Sequence, residues 1–287
     1  MNFTMYAGFS EALKNRGAEA AAKEAVRLGF SSVELLEYVE TEQSVPAIGS
    51  VEEAADVRAT LEKHGLSVAC YSVGLSLWQK GMTPDTVTPM EEILRYHARL
   101  AAALGSPFLH HTLLLGVDKS ALTMEEALAL IVPAAIRVAQ YAKKRGITCI
   151  YEGQGMYFNG ADGFGAFYSA VKKECPYVRV CGDVGNPLFV DESPLPFFEV
   201  FAKDIVHVHI KDYIRAAAPG NEPDWAQTRG GAWLRETVIG HGCVPLADCL
   251  AVLRAAGYRG AFALENNHAE PFEYGVAEGM RQVRTVF

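Results

Sequence analysis

"KRGITCIYE", residues 144–152, places a helix end, a turn and a strand within nine residues. Gly146 can take the left-handed conformation that closes a helix. The apolar run behind it ends abruptly at Glu152. The same form recurs in "RLGFSSVEL" (27–35), "KHGLSVACY" (63–71), "ALGSPFLHH" (103–111) and "AAGYRGAFAL" (255–264). The repeated unit is therefore helix, glycine cap, short turn, buried strand.

Extending this unit along the chain predicts strands at 3–9, 32–37, 66–73, 108–112, 147–152, 178–183, 204–211 and 260–265. Helical patterns lie near 16–29, 51–64, 89–104, 123–145, 163–174, 194–202, 246–257 and 270–285. Such alternation favours a parallel sheet, and a count of eight favours a closed (β/α)₈ (TIM) barrel. No G-x-G-x-x-G follows the first strand, so a dinucleotide-binding open sheet has no support. The 287 residues fit a single barrel domain, 1–287. The longest irregular stretch is 212–244, a long loop after strand seven expected as a lid or pocket wall over the C-terminal mouth.

Composition narrows the function. Half the residues are hydrophobic and the net charge is −8, which argues against a nucleic-acid partner. No apolar run approaches a membrane span, and "MNFTMYAGFS" lacks a signal-peptide pattern. A cytoplasmic protein with no membrane partner is expected. The six cysteines form no C-x-x-C pair. Cys70, Cys149 and Cys181 read as small buried hydrophobes, with neither a disulfide framework nor a zinc cluster expected.

In a (β/α)₈ barrel the active site lies where the strands end. Strand five ends in Glu152, strand six in Asp183 and strand eight in Glu265, and strand seven carries His209 near its end. Three carboxylates in a semi-buried mouth repel one another unless a cation joins them. Carboxylates with one imidazole suit Mn²⁺ first, then Mg²⁺ or Co²⁺, and admit Zn²⁺. In "IVHVHIKD" (205–212), His207, His209 and Lys211 share one face. His207 lies one pleat deeper and reads as a core histidine, leaving His209 as the ligand. Lys211 either meets a substrate or pairs with a loop carboxylate. Further pocket candidates are His110, whose neighbour His111 points the other way, Glu37 in preference to Glu34, and Tyr6 and Trp225 as surfaces for a sugar ring. For His241, in a glycine turn, a functional and a structural reading stand level.

"YEGQG", "GDVGN", "HVHIKD", "GHGCVPL" and "ALEN" occur in an order that resembles the xylose isomerase-like barrel superfamily. The nearest group is the sugar phosphate isomerases and epimerases, which includes ketose 3-epimerases, hydroxypyruvate isomerases and inosose dehydratases. The resemblance covers about residues 2–285. It implies a divalent metal on Glu152, Asp183, His209 and Glu265, with Glu152 and Glu265 as the acid/base pair. Many members carry histidine three residues after the strand-six aspartate. Here Asn186 stands in that place, able to bond a hydroxyl but not to carry a proton.

The expected activity is proton transfer next to the carbonyl of a sugar or sugar phosphate, through an enediolate. Return of the proton to the same or the neighbouring carbon gives epimerisation or isomerisation. A dehydratase on the same metal site, a non-catalytic sugar-binding barrel and an abasic-site endonuclease are the alternatives. A homodimer or homotetramer is the expected assembly.

Overall fold

The computed structural model describes residues 1–6, 8–39, 47–78, 88–118, 120–265 and 271–287. Ala7 of the first predicted strand and Asn266 of "ALEN" lie outside them. Eight parallel strands close a barrel: β1 (Asn2–Met5), β2 (Ser32–Tyr38), β3 (Ser67–Gly74), β4 (Phe108–His111), β5 (Thr148–Glu152), β6 (Arg179–Asp183), β7 (Ile205–Ile210) and β11 (Ala261–Leu264). Each pairs with its sequence neighbours in the barrel, and β11 closes on β1. The outer layer includes α2 (Ala18–Arg27), α3 (Val51–Lys63), α4 (Thr88–Ala103), α5 (Met124–Lys143), α7 (Ala161–Glu174), α8 (Leu195–Phe201), α9 (Leu246–Ala255) and α10 (Phe272–Val286).

Local chemistry sets these boundaries. α3 starts at Ser50, whose hydroxyl accepts from the Glu53 backbone N–H, and α5 at a reciprocal Thr123–Glu126 capping box, so backbone donors that lack a helical partner are met. Outward strand residues such as Val33, Leu35, Val208, Ile210, Phe262 and Leu264 join the barrel–helix core. No helix among the described residues is long and apolar enough to cross a membrane.

One expectation needs correction. The first strand stops at Met5, and residues from Phe9 onward form α1 (Phe9–Arg16). Gly8, at φ 75°, turns the chain there, and Phe9 is fully buried. The apolar residues of 3–9 thus serve two elements in succession. The long stretch expected after β7 is present and carries secondary structure of its own. It folds as an antiparallel sheet of β8 (Asp212–Ala216), β9 (Ala226–Gln227) and β10 (Trp233–Thr237), in the order β8–β10–β9. Its strands are short and mix polar with apolar residues, which left no clear period of two.

Asp212 fixes the base of this sheet. Its buried carboxylate accepts backbone N–H bonds from Tyr213, Gly240, Gly242 and Val244 at 2.8–3.0 Å. The "GHG" turn is tied in this way to the end of β7. His241 itself faces Glu278 at 3.5 Å on the surface.

Candidate metal centre

Barrel interiors are usually filled by layers of branched apolar side chains. Here the upper interior is polar. Glu34, Ser72, His110, Glu152, Cys181, Asp183, His207 and His209 are all buried. Ala261 and Ala263 pair in register with His207 and His209, and these small neighbours leave room for the two rings.

His209 occupies the centre. Its Nδ1 lies 2.6 Å from Glu152 Oε1 and 3.9 Å from both Asp183 Oδ2 and Glu265 Oε2. Its Nε2 faces Glu34 at 3.2 Å. Tyr6 stacks on the ring, with centroids 4.7 Å apart and planes 15° apart. The imidazole is thus clamped at both nitrogens and over one face. Lys211 extends along the same side of β7, its ammonium 2.9 Å from Asp183 Oδ2, 2.6 Å from Glu265 Oε2 and 3.2 Å from Asn186 Oδ1. Asp183 divides its carboxylate between two tasks. Oδ1 accepts the N–H groups of Gly185 and Asn186 at 2.8 and 2.7 Å, fixing the turn, while Oδ2 faces the mouth. Gly185 is required by close approach, since a Cβ there would meet Lys211 Cγ and the Tyr213 ring at 2.7 Å.

The structure brings Glu152, Asp183, His209, Glu265, Lys211, Asn186, Tyr6 and His110 together. His110 Nδ1 bonds Ser72 Oγ at 3.1 Å, and its Nε2 is 3.9 Å from Glu152 Oε2. His111 points outward, edge-on to Tyr151. Two candidates lie elsewhere. Glu37 has the outward parity of β2, and both its carboxylate oxygens accept the Ala47 N–H at 3.0 Å. Trp225 packs on the small sheet beneath the Arg235 guanidinium, 5.7 Å from its ring.

Glu34 is the residue that sequence reasoning passed over. It is fully buried and sits under Ser72, which donates to it, with His207 Nε2 at 2.6 Å and His209 Nε2 on its other side. The signal was parity: Glu34 faces inward, whereas preference for the strand end selected Glu37. Lys211 pairs with strand-end carboxylates rather than with a loop carboxylate. Cys70 and Cys181 are buried with Ile150 in a small apolar cluster, as expected, and their sulfurs lie on the inner wall near His207.

Electrostatics separate these groups. Burial works to raise the Glu34 pKa, but the His209 and His207 imidazoles hold it well below the ordinary carboxylate range. Burial opposes a charged His209, yet the Glu34 and Glu152 carboxylates hold its pKa well above that of a free imidazole. Glu152 is pushed up to about 7, by burial first and with Asp183 adding to it against the pull of His209. Burial lifts the Cys181 thiol to about 12, so it remains protonated.

Three groupings of donors come within 4.8 Å of one another: Glu152–Asp183–His209, Glu34–Cys70–His207 and Cys181–His207–His209. The first fits a hard or borderline divalent cation best. It offers carboxylate oxygens and the His209 Nδ1, and Glu265 stands beside it. Glu34 on Nε2 is the carboxylate that fixes the ring of a metal-binding histidine and its tautomer. The other two groupings depend on thiols that burial keeps neutral.

Beside Asn186 a cavity of about 680 Å³ opens between the loops after β4, β5 and β6, with Arg229 of the small sheet at its edge. A second cavity of about 290 Å³ adjoins it across Met156 and Arg229.

Residues 22–286 match the family model of the xylose isomerase-like TIM barrel, and the chain belongs to that family. No curated protein matches it by sequence. Among solved structures it is similar to a D-allulose 3-epimerase from Methylomonas sp. in complex with D-allulose, at 18% identity and TM-score 0.74, covering 100% of this chain and 97% of the other. It is likewise similar to a D-psicose 3-epimerase with D-tagatose from Clostridium cellulolyticum H10, at 14% identity and TM-score 0.75 over 100% and 99%. A xylose isomerase-like TIM barrel protein from Mycobacterium smegmatis in complex with magnesium shares 16% identity and a TM-score of 0.68 over 96% and 90%. At these identities the likeness establishes the fold.

Proposed function

We propose that this chain is a divalent-cation-dependent sugar isomerase or epimerase that moves a proton next to a carbonyl. One observation carries the reading: two glutamates, Glu152 on β5 and Glu265 after β11, flank His209 Nδ1 from different strands. A cation held by Glu152, Asp183, His209 and Glu265 would supply Lewis-acid polarisation of the carbonyl, worth several kcal/mol.

The chain's own residues do the rest. Glu152, whose Oε1 lies 2.6 Å from His209 Nδ1, is the base that takes and returns the proton. Glu265, beside the Lys211 ammonium, is the partner that serves the other face of the substrate. Asn186 and Lys211 offer an amide and an ammonium to substrate hydroxyls, and His110 lies next to Glu152. Tyr6 holds the His209 ring and walls the pocket. Mn²⁺ is the cation we put forward, with Mg²⁺, Co²⁺ and Zn²⁺ as alternatives, and a homodimer or homotetramer in the cytoplasm completes the reading. Two solved epimerases with the same fold, bound to D-allulose and to D-tagatose, support a sugar as the substrate.

The test is deuterium incorporation from D₂O into a panel of ketoses, with and without added Mn²⁺. Wild type incorporates deuterium, and Glu152→Gln and Glu265→Gln each lose at least 100-fold in rate while remaining folded. Full exchange in either variant removes that glutamate from the pair. Loss of water from the product, seen by mass spectrometry, replaces the isomerase reading with a dehydratase.

A further inference from the structure

The cavity beside Asn186 is not used by the proton transfer. Its 680 Å³ is room for roughly 20 water-sized groups at about 30 Å³ each, whereas a hexose brings about a dozen heavy atoms. The reacting carbons of a sugar must also lie at Glu152 and Glu265, which are not part of this lining. The space is therefore surplus to a single ring.

Its lining has two chemistries. Leu115, Val117, Met156 and Phe189 form apolar walls, and Phe189 is held edge-on by Tyr213 at 5.3 Å. Gln154, Asn159 and Asn186 bring amides among them. Gln154 Oε1 and Asn159 Oδ1 are buried and meet no donor among the described residues, and Asn159 as a whole is only 4% exposed. A buried acceptor left unmet is costly, and a ligand hydroxyl would satisfy it. Apolar walls with a few fixed acceptors suit a pyranose ring, which has C–H faces and a rim of hydroxyls.

Charge excludes the main competitor. Among the described residues Arg229 is the one cation in this lining, and its guanidinium already donates to the Val190 carbonyl at 2.7 Å and reaches Glu192 at 3.5 Å. Asp118 adds a negative charge. Lys211, on the far side of Asn186, is taken by Asp183 and Glu265. Among the described residues the lining of this cavity offers a phosphate group no uncommitted cation.

We infer that this cavity is a subsite for a second sugar ring. The substrate class is then a neutral glycoside or oligosaccharide, with its carbonyl-bearing residue at Glu152 and Glu265 and its next ring beyond Asn186. The adjoining 290 Å³ cavity gives a longer chain somewhere to continue. This deepens the isomerase or epimerase reading and rests on it.

The experiment is calorimetric titration of the full Mn²⁺-loaded chain with fructose, fructose 6-phosphate and keto-disaccharides of differing linkage, followed by deuterium exchange on the same sugars. At least one keto-disaccharide should bind tenfold or more tightly than fructose. Met156→Trp, which fills the cavity, should cut that ratio at least tenfold. Asn159→Ala should cut it at least threefold, and it serves where the tryptophan variant does not fold. Equal affinities, a preference for fructose 6-phosphate, a ratio unmoved by the folded variants, or no binding of any of these sugars overturns the subsite. Disaccharide binding without exchange on any sugar defeats the proton-transfer reading alone. Exchange on fructose without disaccharide preference defeats the subsite alone.

Discussion

Replacing Glu34 by glutamine isolates what that residue does for His209. The substitution keeps shape and removes one charge. Glu34 now meets Ser72, His207 Nε2 and His209 Nε2. A glutamine has one acceptor oxygen and an NH₂ that opposes any N–H facing it. With His207 the closer at 2.6 Å, against 3.2 Å for His209, the oxygen goes to His207 and the NH₂ to His209. The His209 ring then favours the tautomer with its proton on Nδ1, the nitrogen that faces Glu152, Asp183 and Glu265. Loss of such an orienting carboxylate costs about 10–100-fold in metal affinity, or roughly 1.4–2.8 kcal/mol. Titration of Mn²⁺ or Co²⁺ into metal-free protein measures it. Glu37→Gln, three residues further along β2 and facing outward, is the control and should bind as wild type does. Glu34→Gln binding within twofold of wild type, while His209→Ala loses the ion, would refute the reasoning.

Three further outcomes follow from the same geometry. His209→Ala should reduce metal affinity at least 100-fold, while His207→Ala changes it less than tenfold and mainly lowers the melting temperature; the reverse order would move the site one layer down the barrel. His97 and His111 are buried, and burial depresses both pKa values to about 4 from an ordinary 6.5. Their contribution is complete above about pH 6.5 and is lost as pH falls toward 4, because the unfolded chain takes up the protons first. Each is worth roughly 3 kcal/mol, and urea unfolding at several pH values, with His97→Phe reducing the slope, is the check. Asp212→Ala leaves four backbone donors without their acceptor and should destabilise the chain by about 2–4 kcal/mol, measured the same way; a loss below 0.5 kcal/mol would show that water replaces the carboxylate.

Most of the barrel was legible because its signal is local and repeated. A glycine that closes a helix and an apolar run behind it need no knowledge of distant residues. The carboxylates at strand ends stood out for the same reason, as single polar residues terminating buried runs. Glu34 was not legible, because it lies mid-strand and its partners come from β3 and β7. Whether such a carboxylate is a site residue depends on which layer of the barrel the imidazoles reach, and only closure of the sheet sets that. Cys70 and Cys181 were legible as small buried hydrophobes, because the apolar runs that hold them are local. The small sheet after β7 failed to show because Asp212, which organises it, acts on backbone groups that no side-chain pattern reports.

That carboxylate also bears on how the family can change. Asp212 reaches partners 28, 30 and 32 residues onward, so the excursion between them is closed at its root. Lengthening a closed loop costs little, about 0.6 kcal/mol for each doubling. The segment can therefore be rewritten, extended or exchanged without disturbing the barrel's proton-handling floor. Arg229, at the edge of the cavity, lies within that rewritable segment. Asp212 thus holds the root of the excursion, and Asp191 holds its tip through Arg215, Thr228 and Gly230, so its length can vary between two fixed points.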